Sequence, residues 1–199
     1  MYLLVYKFGG SSVADAAGLR CAAGQLAEAA AAGFHIIAVV SAQGKTTDRL
    51  LQSTAELTAH PACREADQLL ATGEQASAAL MAMTLQERGL SAVSLTGWQA
   101  GIHTDGNHAA AEITALHRRR ILRELEAGRI VIVAGFQGVD REGDITTLGR
   151  GGSDTTAVAL AAAFDACGCR ICTDVDGVYT TDPRIVPNAR KLDEITYDE

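Results

Sequence analysis

Leu3-Leu4-Val5-Tyr6-Lys7-Phe8-Gly9-Gly10-Ser11-Ser12 is the stretch on which the fold turns. Leu3 to Tyr6 is a short β-prone run. Gly9-Gly10 interrupts it, and Ala14 to Ala32 beyond is Ala-rich without Pro, which favours helix. The unit is strand, glycine turn, helix. It recurs at His35 to Val40, a continuous apolar and β-branched run, followed by the polar turn Ser41-Ala42-Gln43-Gly44-Lys45-Thr46-Thr47-Asp48 and an amphipathic stretch from Arg49 to Thr58.

Working outward, Cys63 to Arg88 suits a long helix interrupted at Gly73-Glu74, and Ala92 to Leu95 a short strand. Leu116 to Ala127 reads as a basic-faced helix, Ile130 to Ala134 as a buried strand, Ser153 to Ala166 as an apolar helix, and Arg170 to Thr173 as a last strand. Alternating β and α segments with continuously apolar strands predict an α/β fold: a mainly parallel sheet covered by helices on both faces. In such sheets ligands sit beyond the carboxyl ends of the strands, where the Gly-containing turns fall. Those turns together are the candidate site.

The 199 residues fit one domain, and 48% apolar content fills one core. Twenty-four acidic against 17 basic residues give a net charge of -7, which disfavours nucleic acid and anionic membranes as partners. Five scattered cysteines (21, 63, 167, 169 and 172) do not make a secreted disulfide framework, and no run is long and apolar enough for a membrane span. A soluble protein of the cytoplasm is expected.

Several motifs fail as fingerprints. Gly44-Lys45-Thr46 lacks the Walker A glycine five residues earlier, where Val39 stands, and Gly149-Arg150-Gly151-Gly152-Ser153-Asp154 carries Asp154 at the third dinucleotide glycine. Cys167-Gly168-Cys169-Arg170-Ile171-Cys172 has no second cluster to complete a zinc site, and the Asp spacing from Thr173 to Arg184 does not meet the calcium-loop pattern. His103, His108 and His117 read as solvated, and Arg118-Arg119-Arg120 as an exposed helix face, an anion-binding role being the less favoured alternative.

What the turns do offer is backbone N–H at helix starts, suited to phosphate oxygens. Lys7-Phe8-Gly9-Gly10 adds a cation beside two residues without Cβ, although a plain strand-to-helix turn would look the same. Leu148 to Thr156 gathers three glycines, Arg150, Asp154 and three hydroxyls at one helix start. Ser153 or Asp154 there could act as N-cap as well as ligand. Thr173 to Arg184 reads as a nucleotide-flanking loop.

Taken together, Lys7 to Val13, Val39 to Asp48, Thr72 to Ala76, Gly97 to Asp105, Ala134 to Asp140, Thr146 to Thr156 and Thr173 to Arg190 resemble, in order, the aspartate kinases of the amino-acid kinase family. The resemblance implies a three-layer α/β/α sandwich and an ATP-dependent phosphorylation of the L-aspartate side chain to 4-phospho-L-aspartate, on the way to lysine, threonine and methionine. It implies ATP and Mg²⁺ as cofactors, with no metal ligand assigned to the protein, and a homo-oligomeric full-length protein. Lys7, Phe8, Gly9 and Gly10 would hold the phosphates, and Thr173, Asp174, Tyr179 and Arg184 would border the nucleotide. Thr47, Glu74 and Ser153 would contact aspartate, with Ser41 and Arg150 close by. Lys7 and Asp154 would be catalytic, Asp154 orienting Lys7, receiving the amine or helping with metal.

Lys191 to Glu199 resembles the start of a helix, after which the family continues with a further nucleotide-side Lys, the rest of the kinase fold and regulatory ACT domains. Residues 1–199 are thus expected to be a truncated catalytic domain without an ACT domain. The alternatives are an inactive nucleotide-binding fragment that needs its remainder or a partner, and a related kinase acting on glutamate, N-acetylglutamate or a nucleotide.

Overall fold

The computed structural model describes residues 2–173, 177–181, 185–186 and 188–196. Its elements are β1 (Leu3–Phe8), α1 (Ala16–Ala31), β2 (His35–Val40), α2 (Thr46–Leu57), α3 (Cys63–Glu87), β3 (Ala92–Leu95), β4 (Ile102–Thr104), β5 (Ile113–Leu116), α4 (Arg119–Glu126), β6 (Ile130–Ala134), β7 (Gln137–Val139), β8 (Ile145–Thr147), α5 (Gly152–Ala163) and β9 (Gly168–Cys172). A five-stranded sheet runs β3-β6-β2-β1-β9, and every pairing in it is parallel. The expected α/β class and mainly parallel sheet are what the chain forms.

Period-two alternation explains the three layers. Leu4, Tyr6 and Phe8 of β1 join Ile36, Ala38 and Val40 of β2 in a core shared with Leu19 and Leu26 of α1 and Met81 and Leu85 of α3. Their neighbours Leu3, Val5, Ile37 and Val39 point the other way and pack with Ile121 and Leu125 of α4 and Leu160 of α5. The central strands β1, β2 and β6 are covered on both faces, so they are apolar almost throughout, Lys7 being the main exception.

A second sheet, β5-β4-β7-β8, was not anticipated. Its β4–β5 and β7–β8 pairs are antiparallel and β4–β7 is parallel. The strands are three or four residues long, so their alternation is too brief to register as a pattern. Leu116, read as the first residue of a helix, instead ends β5.

The anticipated break at Gly73-Glu74 is absent, and α3 runs unbroken for 25 residues. Gly73 serves a close approach instead: a Cβ there would lie 2.9 Å from Ala42 Cβ. Gly10 meets the same turn from the other side, where a Cβ would come 2.6 Å from the Ala42 carbonyl oxygen. The turn after β2 is thereby clamped between the turn after β1 and α3. At the far end, residues 192–196 form no helix; Lys191 makes a single bridge with Tyr179.

Candidate active site

The carboxyl ends of β1, β2 and β6 and the start of α5 enclose a cleft of about 570 Å³. Lys7, Ser41, Thr47, Glu74, Arg150, Ser153 and Asp154 all line it. Seven residues singled out from four separate stretches of sequence therefore share one concavity, at the strand ends where open α/β sheets bind ligands.

Lys7 is on β1, nearly buried, and its Nζ lies 2.9 Å from Asp154 Oδ1 in the first turn of α5. The contact is an ion pair by distance but not an aligned hydrogen bond, so Asp154 Oδ1, itself shielded from solvent, has no aligned donor. That leaves both groups with capacity for a ligand.

Glu74 is 4% exposed. Its Oε1 accepts the Ala42 N–H at 3.1 Å, a bond made possible by the close approach at Gly73, while Oε2 is buried without a hydrogen-bond partner. Burial pushes its pKa up to about 7, against the smaller lowering effect of the Ala42 N–H. A buried carboxylate oxygen without a partner is costly, and a cationic donor in the cleft would relieve it.

Two helices open on the cleft with no side-chain cap: α2, through Thr47, and α5, whose N-cap is Gly151 in the left-handed region at φ 77°. Ser153 and Asp154 are therefore in the first turn of α5 rather than at its cap. Uncapped N–H groups and the helix dipole favour an anion at such ends, each by about 0.3–1 kcal/mol at exposed sites. The turn after β1, by contrast, is not a helix start. Asp15 caps α1, accepting from the Ala17 and Gly18 N–H at 2.9 and 2.8 Å, and α1 begins only at Ala16. Gly9 N–H already donates to the Cys172 carbonyl at 3.1 Å, and the Phe8 ring is in the core stacked on Tyr6. What the turn after β1 brings to the cleft is the Lys7 ammonium.

Two non-glycine residues on the cleft wall, Phe136 and Ala109, have positive φ, 70° and 68°. Such conformations persist only where the surroundings fix them. Phe136 N–H donates to Thr156 Oγ1 at 3.2 Å, and Ala109 N–H donates to both oxygens of Asp67 at 3.0 and 3.2 Å. Asp67, 0% exposed, also accepts the Thr147 N–H at 3.0 Å and the Thr147 hydroxyl at 2.6 Å, and contacts His108 Nδ1 at 2.9 Å. Thr147 lines the cleft too. Asp67 thus holds two wall residues in place, a role with no sign in its local sequence.

Thr173 and Tyr179 are not among the cleft-lining residues; Tyr179 sits in the bridge to Lys191. Asp174 and Arg184 lie outside the described residues, as do Pro183 and Pro187. The cysteines are free, and burial holds the Cys169 and Cys172 thiols above their ordinary pKa, hence protonated. Among the described residues the one cluster with metal-ligand spacing is His108, Asp140 and Asp144, and Asp144 is already held by Arg64 at 2.7 Å. No described helix is long and apolar enough to cross a membrane.

A parallel sheet between helix layers, with uncapped helix ends and a lysine–aspartate pair at its carboxyl edge, defines an α/β protein whose cleft opens at the strand ends. The chain belongs to the amino acid kinase family, whose model matches residues 3–199. The aspartokinase of Geobacillus stearothermophilus is 56% identical over all 199 residues, which cover 49% of that protein. The aspartate kinase of Synechocystis superposes with a TM-score of 0.85 at 46% identity, over 98% of this chain and 32% of that one. Escherichia coli aspartokinase III in complex with aspartate and ADP superposes with a TM-score of 0.84 at 29% identity, over 96% of this chain and 53% of that one. The chain spans about half the length of the curated relatives it matches.

Proposed function

We propose that this chain carries the phosphoryl-transfer cleft of an ATP:L-aspartate kinase, whose product is 4-phospho-L-aspartate, feeding lysine, threonine and methionine synthesis. The observation that carries the acceptor assignment is Glu74 Oε2, buried, unpartnered and on the same cleft as Lys7 and Arg150. A free α-ammonium satisfies it with a charged donor, whereas an N-acylated amine offers a single neutral N–H. The relative with aspartate and ADP bound supports the same pair of substrates.

The acceptor carboxylate is ionised at neutral pH, its reference pKa being about 3.9, so the attacking oxygen needs no general base. An oxygen lone pair forms the new bond to the γ-phosphorus as the bond to the β-bridging oxygen breaks, and ADP leaves. The chain's task is to hold two anions in line. Lys7 neutralises phosphate oxygens, the α5 N-terminus with Ser153 takes the phosphoryl group or a substrate carboxylate, and Arg150, which has no ion pair among the described residues, grips a carboxylate through two N–H groups. Asp154 keeps Lys7 aimed across the cleft. Phe8 to Gly10, with Thr173, Asp174, Tyr179 and Arg184, make up the nucleotide side. Mg²⁺ would be held mainly by phosphate oxygens and water and would supply charge neutralisation, with the half-exposed Asp154 carboxylate, whose Oδ1 already faces Lys7, able to reach it through its second oxygen.

A coupled ADP-release assay with L-aspartate, L-glutamate and N-acetyl-L-glutamate tests the reading. Turnover is expected with aspartate and at least about tenfold less with the others. Turnover with glutamate or the N-acetyl compound and none with aspartate overturns it. ATP binding by calorimetry with no turnover on any acceptor favours the alternative of a nucleotide-binding part that needs the remaining half found in its relatives.

A further inference from the structure

Trp98, the chain's single tryptophan, is 67% exposed. With His103, His117, Arg119, Arg120 and Arg123 it lines a second concavity, of about 550 Å³, which shares no residue with the cleft. The second sheet assembles it. β4 pairs with β5, and His117 N–H donates to the Gly101 carbonyl at 2.8 Å, which brings the His103 and His117 rings to 4.4 Å between centroids. α4 then starts at Arg119 with no side-chain cap, so its first N–H groups add to the positive field.

The charge there is not balanced. Glu124, 3% exposed, accepts from Arg120 at 2.7 Å, Arg123 at 3.2 Å and Arg129 at 2.6 Å. Burial alone would raise its pKa, but the three guanidiniums hold it below the ordinary carboxylate value, so it is ionised. One carboxylate thus faces three guanidiniums. Arg119, exposed and without an ion pair among the described residues, lines the concavity beside Arg120 and Arg123, so three guanidiniums face it while the one carboxylate behind them, Glu124, is shared with Arg129 outside the lining. Among the described residues no carboxylate lines the concavity, although the chain as a whole carries -7. Packing like charges together in an otherwise acidic chain is unfavourable unless a partner anion completes them.

We propose that this concavity binds a small, multiply charged phosphate-bearing anion. The guanidiniums offer paired donors that match phosphate oxygens, and the ring N–H groups of the adjoining imidazoles add further donors. Trp98 closes one side of the site and reports on it.

The test is Trp98 fluorescence during titration with inorganic pyrophosphate at constant ionic strength, made up with chloride so that screening does not change. A saturable change is expected. It should weaken at least about tenfold in Arg119→Ala and in His117→Ala, weaken less in Arg119→Lys, which keeps the charge and loses the paired donors, and remain in Lys7→Ala, which disables the cleft and not this site. Circular dichroism checks that each variant is folded, and two single variants guard against loss of one. A response that is absent or fails to saturate overturns the proposal. So does one that persists in both Arg119→Ala and His117→Ala, or one lost in Lys7→Ala, since it then belongs to the cleft.

Discussion

Burying Glu74 raises its pKa from 4.5 to about 7, so between these values the folded chain keeps a proton that the unfolded chain has released. Its contribution to stability is therefore complete below pH 4.5 and is lost as pH rises through 7. At ~1.4 kcal/mol per unit the loss is at most ~3 kcal/mol. Glu74→Gln removes the titration. Denaturant midpoints should show the variant gaining about 2–3 kcal/mol on the native chain between pH 5 and pH 8; an unchanged difference would place Glu74 in contact with water. The same variant should raise KM for the amino-acid acceptor much more than for ATP, because only the ammonium is lost as a partner. At this scale the sequence is legible where chemistry is concentrated: Lys7, Arg150, Ser153 and Asp154 stand in short stretches dense in glycine and charge. Asp67 is not. It follows the exposed Arg64 and Glu65 at the start of α3, and its partners His108 and Thr147 lie 41 and 80 residues away.

Among elements, α3 shows why local pattern misleads. Its Gly73 looks like a helix break because glycine is poor in helices, yet it is the contact point with Ala42 that lets Glu74 reach the Ala42 N–H. About two turns earlier Asp67 binds α3 to β8 and to the 108–109 turn, so the helix fixes both Glu74 and the cleft wall. The long parallel strands were legible from their continuous apolar runs. The second sheet was not, because its short strands draw their stability from packing on α3 and α5 rather than from their own sequence. Asp67→Ala leaves the N–H and hydroxyl of buried Thr147 unpaired, each costing about 1–3 kcal/mol, and releases the more exposed Ala109 N–H. Thermal unfolding should report a total loss of about 3–5 kcal/mol. Where the variant still folds, acceptor KM should rise while ATP affinity holds, since Thr147 and Ala109 line the cleft away from Lys7's strand. A neutral variant would mean that the buried network carries no net energy.

Over the whole molecule, burial sets a gradient of stability across the sheet. β1, β2 and β6 are covered on both faces and paired on both edges, whereas β9 is partly exposed and is an edge among the described strands. Amide exchange should accordingly be slowest in β1, β2 and β6 and faster in β9 and β3, spanning from near the global unfolding free energy down to local opening. The proposed nucleotide side adds a direction to this gradient. β9 leads into Thr173, and its Cys172 carbonyl accepts the Gly9 N–H, so a phosphate group held near Lys7 and Gly9 couples to β9 and hardly at all to β3 on the opposite edge. Adding ATP with Mg²⁺ should raise protection in β9 and in residues 7–10 well above any change in β3. Equal protection at both edges would indicate only global stabilisation by ligand, and protection confined to β3 would put the nucleotide on the wrong side of the sheet.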